Sequence, residues 1–336
     1  MHIGWPKCGS STLQSMLGLN QGRLAKKGFY YPIIDGKKNF GNAKPLLRGR
    51  SQDKSGDKRQ KLRRIFLRHP KLAKITDHQK YFRETYLQSG HDNIILSAEG
   101  LYRAARVNDL SYVFEHFDTI KIYWVIRPKM LKVQSGYLHG VRSGKYKQEF
   151  GDLIDTEFYR NKADDNHNYL QVINFWSGIA GADNINILML DNRFPSIEKQ
   201  FFEAMLGSFP NDLRPGKLRN VKIGAVPTAA IMNLPDESDQ FEEYLQKIKF
   251  IRERARQLEL TTATVNVLTP EIHARLSERF RADDEAFVQC QNKYTLDDIR
   301  PDVSDIVASS TTLASVREWD DYIRLKRSLA EDGIII

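Results

Sequence analysis

The sequence predicts an α/β protein: a parallel sheet flanked by helices, followed by a helical C-terminal extension. Three observations predict it. Strand-length apolar runs are continuous rather than alternating, the mark of strands buried on both faces. Amphipathic helical patterns lie between them, as parallel crossovers require. Beyond about residue 235 the pattern becomes helical and charged, in FEEYLQKIKFIRERARQLEL and PEIHARLSERFRADDEAFVQ. The expected organisation is an α/β domain over 1–235 and a helical extension over 236–336.

The elements follow in order. A short strand is expected at about 1–5, leading straight into a turn. NIILSAE at 93–99 reads as a buried strand, followed by a helical pattern in GLYRAARVNDLSYVFEHF. IKIYWVI at 120–126 is a β-branched and aromatic run ending at Arg127-Pro128. A helix with apolar residues at Tyr169, Val172, Ile173, Trp176 and Ile179 precedes a fourth strand, NINILMLD at 184–191. Residues 36–60 are rich in Gly, Lys, Asp and Ser and read as a long mobile loop. The last forty residues give little signal, and no internal repeat is present.

Composition narrows the class. Hydrophobic residues make up 41% and charged residues 28% of the 336, ordinary for a globular protein with a sizeable core. The 51 Lys and Arg exceed the 42 Asp and Glu, a net +9 that favours an anionic partner. Much of the excess falls in 43–74, which reads either as a solvated face or as a contact surface for an anionic acceptor. No zinc-finger spacing or RNP-type aromatic motif accompanies the charge, so nucleic acid is not the expected partner. No apolar run reaches the ~20 residues of a membrane span. The N-terminal residues lack the basic start and cleavage pattern of a signal peptide. Cys8 and Cys290 make neither a disulfide framework nor a four-ligand zinc site, so a reducing, cytoplasmic compartment is expected.

The strongest motif is the turn after the first strand, Gly4-Trp5-Pro6-Lys7-Cys8-Gly9-Ser10-Ser11-Thr12. A glycine-containing turn entering a helix converges backbone N–H groups on an anion, and the helix dipole favours negative charge there. Gly4 and Gly9 have the spacing of the P-loop, GxxxxGK[ST], which makes the expected fold P-loop-like. Position 10, however, is Ser where that motif demands Lys, and the lysine sits at position 7. The strand IKIYWVI ends in Arg127 and offers no acidic partner for magnesium, which argues against a kinase. Cys8, near a helix N-terminus, is a conceivable nucleophile, but no ordered His–acid pair accompanies it.

HIGWPKCGSSTLQ resembles the 5′-phosphosulfate loop of sulfotransferases that use PAPS (3′-phosphoadenosine-5′-phosphosulfate), with the pattern Pro-Lys-(Thr/Ser)-Gly-(Thr/Ser)-(Thr/Ser). Cys8 departs from the usual hydroxyl residue, removing one donor while leaving the backbone cradle. WVIRPKMLKVQSGYLHGVRSGKY resembles the family's 3′-phosphate element, a strand-terminal Arg and a helix Ser eight residues on, here Arg127 and Ser135. Arg127 is suited to fork onto a phosphate, and Pro128 starts the helix well. LRPGKLRNVKIG at 213–224 resembles the late basic loop, with Lys217 and Arg219 as its phosphate contacts.

The resemblance implies sulfonate transfer from PAPS, releasing PAP, to a hydroxyl acceptor without a metal. It is nearest to the carbohydrate-type bacterial enzymes. Lys7, Cys8, Gly9, Ser10, Ser11 and Thr12 would hold the 5′ side, with Lys7 on the leaving oxygen. Glu99, at the carboxyl end of its strand, is either the general base or a cap of the following helix. His139 is the other candidate base. A Glu at this place and the basic 43–74 stretch point to a saccharide acceptor, anionic or lipid-linked, which would allow peripheral membrane contact. The competing readings are a PAP- or PAPS-binding protein without chemistry and a P-loop-like small-molecule kinase.

Overall fold

The computed structural model describes residues 1–33, 41–43, 46, 78–102, 110–156, 167–216, 224–235, 241–260 and 265–336. In chain order these form β1 (His2–Gly4), α1 (Ser10–Leu19), α2 (Gln21–Lys26), β2 (Phe29–Tyr30), α3 (His78–Thr85), β3 (Asn93–Ile94), β4 (Ser97–Glu99), α4 (Ser111–Phe114), β5 (Ile122–Ile126), α5 (Lys129–Arg142), α6 (Phe150–Asp155), α7 (Tyr169–Ala180) and β6 (Ile185–Met189). They continue with α8 (Ile197–Leu206), α9 (Ala225–Asn233), α10 (Phe241–Gln257), α11 (Pro270–Cys290), α12 (Leu296–Ile299), α13 (Ser304–Ala308) and α14 (Asp320–Glu331).

Four strands make one parallel sheet in the order β4-β1-β5-β6, and β2 and β3 pair in parallel as a second, small sheet. The parallel α/β architecture expected from the continuous apolar runs is therefore present. All five residues of β5 are buried, as an interior strand covered on both faces must be. The expected strand at 93–99 is two strands in different sheets, and the small pair β2–β3 has no counterpart in the sequence reading. Asn42 explains the break: its Nδ2 donates to Ile95 O at 2.7 Å and its Oδ1 accepts from Ser97 N at 2.7 Å. A side chain thus takes the place of a ladder partner where the chain leaves β3. The helical pattern foreseen after residue 99 reduces, among the described residues, to the single turn of α4.

The chain divides into two compact units. The first comprises Met1–Arg127 with Gln171–Arg219, the second Pro128–Leu170 with Asn220–Ile336. An α/β domain over 1–235 and a helical extension over 236–336 were expected; the second compact unit also takes in α5, α6 and α9. The physical reason lies in their apolar residues: Met130, Val133, Tyr137, Val141, Phe150 and Leu153 join one core with α9, α10, α11 and α14. Periodicity marks α5 as amphipathic but not which core it serves.

In the first unit, His2, Gly4 and Ser97 face α1, and Phe201 of α8 meets His2 edge-on at 6.3 Å. Trp5 and Trp124 stack at 5.6 Å, and Trp5 stacks on Tyr102 at 5.1 Å, fixing the chain just before the turn that follows β1. In the second unit, Lys129 at the start of α5 is fully buried. It pairs with Asp283 and, at 2.6 Å, with Asp284 of α11, while Arg300 holds Asp284 at 2.9 Å. Asp283 also accepts from Tyr169 N at 2.9 Å and Leu170 N at 3.2 Å, capping α7. Among the described residues no helix is long and apolar enough to cross a membrane.

Candidate active site

The turn between β1 and α1 is wound tightly by two left-handed residues, Lys7 at φ 67° and Gly9 at φ 76°. Glycine adopts that conformation freely; lysine does so at a cost of about 1 kcal/mol. Cys8 N donates to Trp5 O at 3.2 Å, and the buried Cys8 thiol points to Pro6 O at 3.7 Å. The buried thiol thus packs against the turn from inside. Gly9 caps α1 without a side-chain bond, and the first turn of the helix holds no acidic residue. The N–H groups of Ser10 and Ser11 have no intrahelical acceptor at this position, so the helix start presents donors and a positive dipole end.

Ser10 is buried, and its Oγ has no hydrogen-bond partner within the protein. It lies directly over Gly4, where an added Cβ would fall 2.3 Å from it. A buried hydroxyl without a partner is costly, of the order of 1–3 kcal/mol, unless a ligand completes it. Ser11 and Thr12 are half-buried beside it. This donor set fits an anion such as a phosphate or sulfate group.

The register of the sheet brings Glu99 to the same place. Gly4 pairs with Glu99 on one side and with Val125 on the other. Two residues back along both strands, His2 Nδ1 and Ser97 Oγ meet at 2.7 Å, and Gln14 Nε2 of α1 donates to Ser97 Oγ at 3.2 Å. Position 97 thus faces α1, and by the two-residue alternation of a strand so does Glu99. Glu99 is half-buried and ends β4, with Gly100 N donating to Gly4 O at 3.3 Å. By the same alternation Arg127, two residues past Val125, belongs to this face at the carboxyl end of β5.

The late basic segment begins alongside α1. Asn20 bonds both main-chain groups of Arg214, each at 2.8 Å, and a Cβ on Gly216 would meet Thr12 O at 3.0 Å. Lys217 and Arg219 lie outside the described residues, as do most of 43–74 and all of 36–60 except 41–43 and 46. Ser135 and His139 are on α5 of the second unit, one turn apart on its accessible stripe; Ser135 is half-buried and His139 exposed. The structure thus gathers Lys7 through Thr12, Glu99 and Arg127 in the sheet unit.

The structure also places an ion pair the sequence did not suggest, Asp191 with Arg193, just past β6. Leu190 N donates to Ile126 O at 2.8 Å, so the chain leaves β5 and β6 side by side. Asp191 Oδ1 accepts from Arg193 N at 3.0 Å and Arg193 Nε at 2.9 Å. Burial alone would raise the Asp191 carboxyl, but the Arg193 bonds and the charges of Arg193 and Arg127 outweigh it and hold it below the ordinary range. Only a charged residue in a Pro-containing loop signalled this pair, and that signal has no specificity.

A parallel α/β sheet with a glycine-containing turn between its first strand and first helix gives the chain a P-loop-like fold. No protein-family model matches the chain, and no curated protein matches it in sequence. Among solved structures, the chain is similar to the crystal structure of a sulfotransferase from Alicyclobacillus acidocaldarius, with 13% identity and a TM-score of 0.45. That similarity covers 91% of this chain and 97% of the other.

Proposed function

We propose that this protein is a PAPS-dependent sulfotransferase that transfers a sulfonate group to an acceptor hydroxyl of a carbohydrate or glycolipid. The observation that carries the reading is the β1–α1 turn. It combines a strained lysine, donors at a helix start, and an unsatisfied buried hydroxyl, in a motif resembling the phosphosulfate loop, with a carboxylate one strand away. PAPS supplies the activated sulfonate; the protein supplies alignment and charge compensation.

In this reading the acceptor oxygen attacks sulfur in line. The acceptor O–S bond forms as the bond from sulfur to the bridging phosphate oxygen breaks, and Glu99 takes the acceptor proton. Lys7 and the N–H groups of the turn compensate the negative charge that builds on the departing PAP phosphate. Arg127, two residues past the Val125 that pairs with Gly4, is assigned the 3′-phosphate in this reading. The acceptor class rests on the Glu at position 99 and on the basic 43–74 stretch, and a cytoplasmic site of action follows from the cysteine usage.

The test has two parts. PAP should raise the thermal midpoint by mass action, and 5′-AMP, which lacks the 3′-phosphate, should do so far less. With PAPS and an acceptor panel, PAP release should depend on the acceptor. Glu99→Gln should keep PAP binding and lose about 10²–10⁴ in turnover. Equal midpoint shifts with PAP and 5′-AMP, or PAP release that ignores the acceptor, would overturn the reading.

A further inference from the structure

A cavity of about 360 Å³ lies within the first unit, at the amino ends of β1 and β5. Its lining takes in Met1 and His2 at the start of β1, and Lys121 and Tyr123 at the start of β5. It includes no residue of the turn over 4–12, nor Glu99 or Arg127, which stand at the carboxyl ends of the strands. The walls are chiefly aromatic: Phe29 of β2, Phe114 and Phe117 from the α4 region, Tyr123, and Phe201 of α8. Phe29 and Met205 also line an open cleft beside Lys27 and Asp212, which gives the cavity a way in from the surface.

One polar ring borders this space from inside the core. His2 and Tyr123 stand side by side in the sheet register, and Phe201 packs on both, with ring centroids 6.3 Å from His2 and 4.9 Å from Tyr123. His2 is fully buried. Its Nδ1 is held by Ser97 Oγ at 2.7 Å, whereas Nε2 has no hydrogen-bond partner among the described residues. A buried ring nitrogen without a partner is costly, and a hydroxyl entering the cavity would complete it. A hydroxyl both donates and accepts, so it serves whichever tautomer the Ser97 contact fixes. The charged side chains of the lining, Asp92 and Lys121, are exposed and opposite in sign, so the walls hold no buried charge for an ionic ligand. The volume is at the small end of the roughly 300–1,000 Å³ usual for ligand pockets, room for one or two rings.

We propose that this cavity binds a small, uncharged aromatic compound of one or two rings carrying one hydroxyl, with its rings among the phenylalanines and its hydroxyl on His2 Nε2. Edge-on and offset ring contacts with the walls supply most of the affinity, and His2 supplies the selectivity. The proposal does not rest on the nucleotide assigned to the turn.

The experiment is calorimetry on the full chain with 2-naphthol, naphthalene and 2-naphthoate, for wild type, His2→Asn and Met205→Trp. Wild type should bind 2-naphthol roughly three- to tenfold tighter than naphthalene, the worth of one hydrogen bond. The anionic 2-naphthoate should bind least. His2→Asn keeps an amide for Ser97 but loses Nε2, so it should erase the preference for 2-naphthol and leave naphthalene binding in place. Met205→Trp, which fills the cavity, should weaken 2-naphthol and naphthalene alike, about tenfold or more. Thermal midpoints are measured alongside, and if His2→Asn fails to fold, the three ligands on wild type and Met205→Trp decide the matter. Wild type that binds none of the three, that binds naphthalene as well as 2-naphthol, or that binds 2-naphthoate best would overturn the proposal. So would 2-naphthol binding that survives Met205→Trp undiminished.

Discussion

Ser10 Oγ fills the space above Gly4 that any larger residue at position 4 would need, 2.3 Å from where its Cβ would stand. Strand and helix approach this closely because Gly4 has no side chain. Gly4→Ala should push Ser10 out of place, costing about 1–3 kcal/mol in stability and most of the midpoint gain from PAP. Adding Ser10→Ala should recover part of the stability, though not the gain from PAP, since the hydroxyl is then gone. Thermal unfolding of the single and double variants with and without PAP reads the coupling. Independent, additive effects would show that the contact is not what requires glycine.

Lys7 carries left-handed backbone strain for a residue that could be glycine. Lys7→Gly should leave the unliganded midpoint unchanged, or raise it by the equivalent of up to about 1 kcal/mol. Turnover should nevertheless fall by about 10²–10³. A large drop in stability without nucleotide would mean that the lysine anchors the fold rather than the ligand.

His2 is buried and uncharged. Burial first, and the neighbouring chain amino group second, lower its pKa from 6.5 to about 3. The unfolded chain therefore takes up a proton that the folded protein refuses. Stability is intact above pH 6.5 and is lost as pH falls from there toward 3, at up to about 1.4 kcal/mol per pH unit. His2→Gln should flatten the acid limb of a stability–pH curve by about one proton. An unchanged slope would place the sensitivity elsewhere.

Lys129 neutralises two aspartates inside the second unit, with 1% of its side chain exposed. Lys129→Met keeps the volume but takes the ammonium from Asp283 and leaves Asp284 to Arg300 alone, at up to about 3 kcal/mol. Chemical denaturation should show that loss, and Lys129→Met with Asp284→Asn should be less destabilised than the sum of the single variants. Additivity would argue that the charges do not act as one cluster.

The legible parts of this protein were those with local signals. The continuous run of β5 announced an interior strand, and Pro-Lys-x-Gly-Ser-Ser-Thr announced the turn. Glu99 was readable as a strand end, but its register with Gly4 is a relation between distant residues that periodicity does not encode. The division of 93–99 turned on the Asn42 side chain, and the allegiance of α5 on which core accepted Met130 and Val133; both are tertiary choices.

The order of the sheet also governs how the chain must assemble. β1, the earliest of the four strands, sits in the interior between β4 and β5, so its pairing is complete only when both have been made. The turn between β1 and α1 therefore takes its final shape only after long-range pairing, which favours slow closure during synthesis. Nascent chains halted before β5 should expose β1 to chaperones, and anion binding should arise late, as a property of the finished sheet.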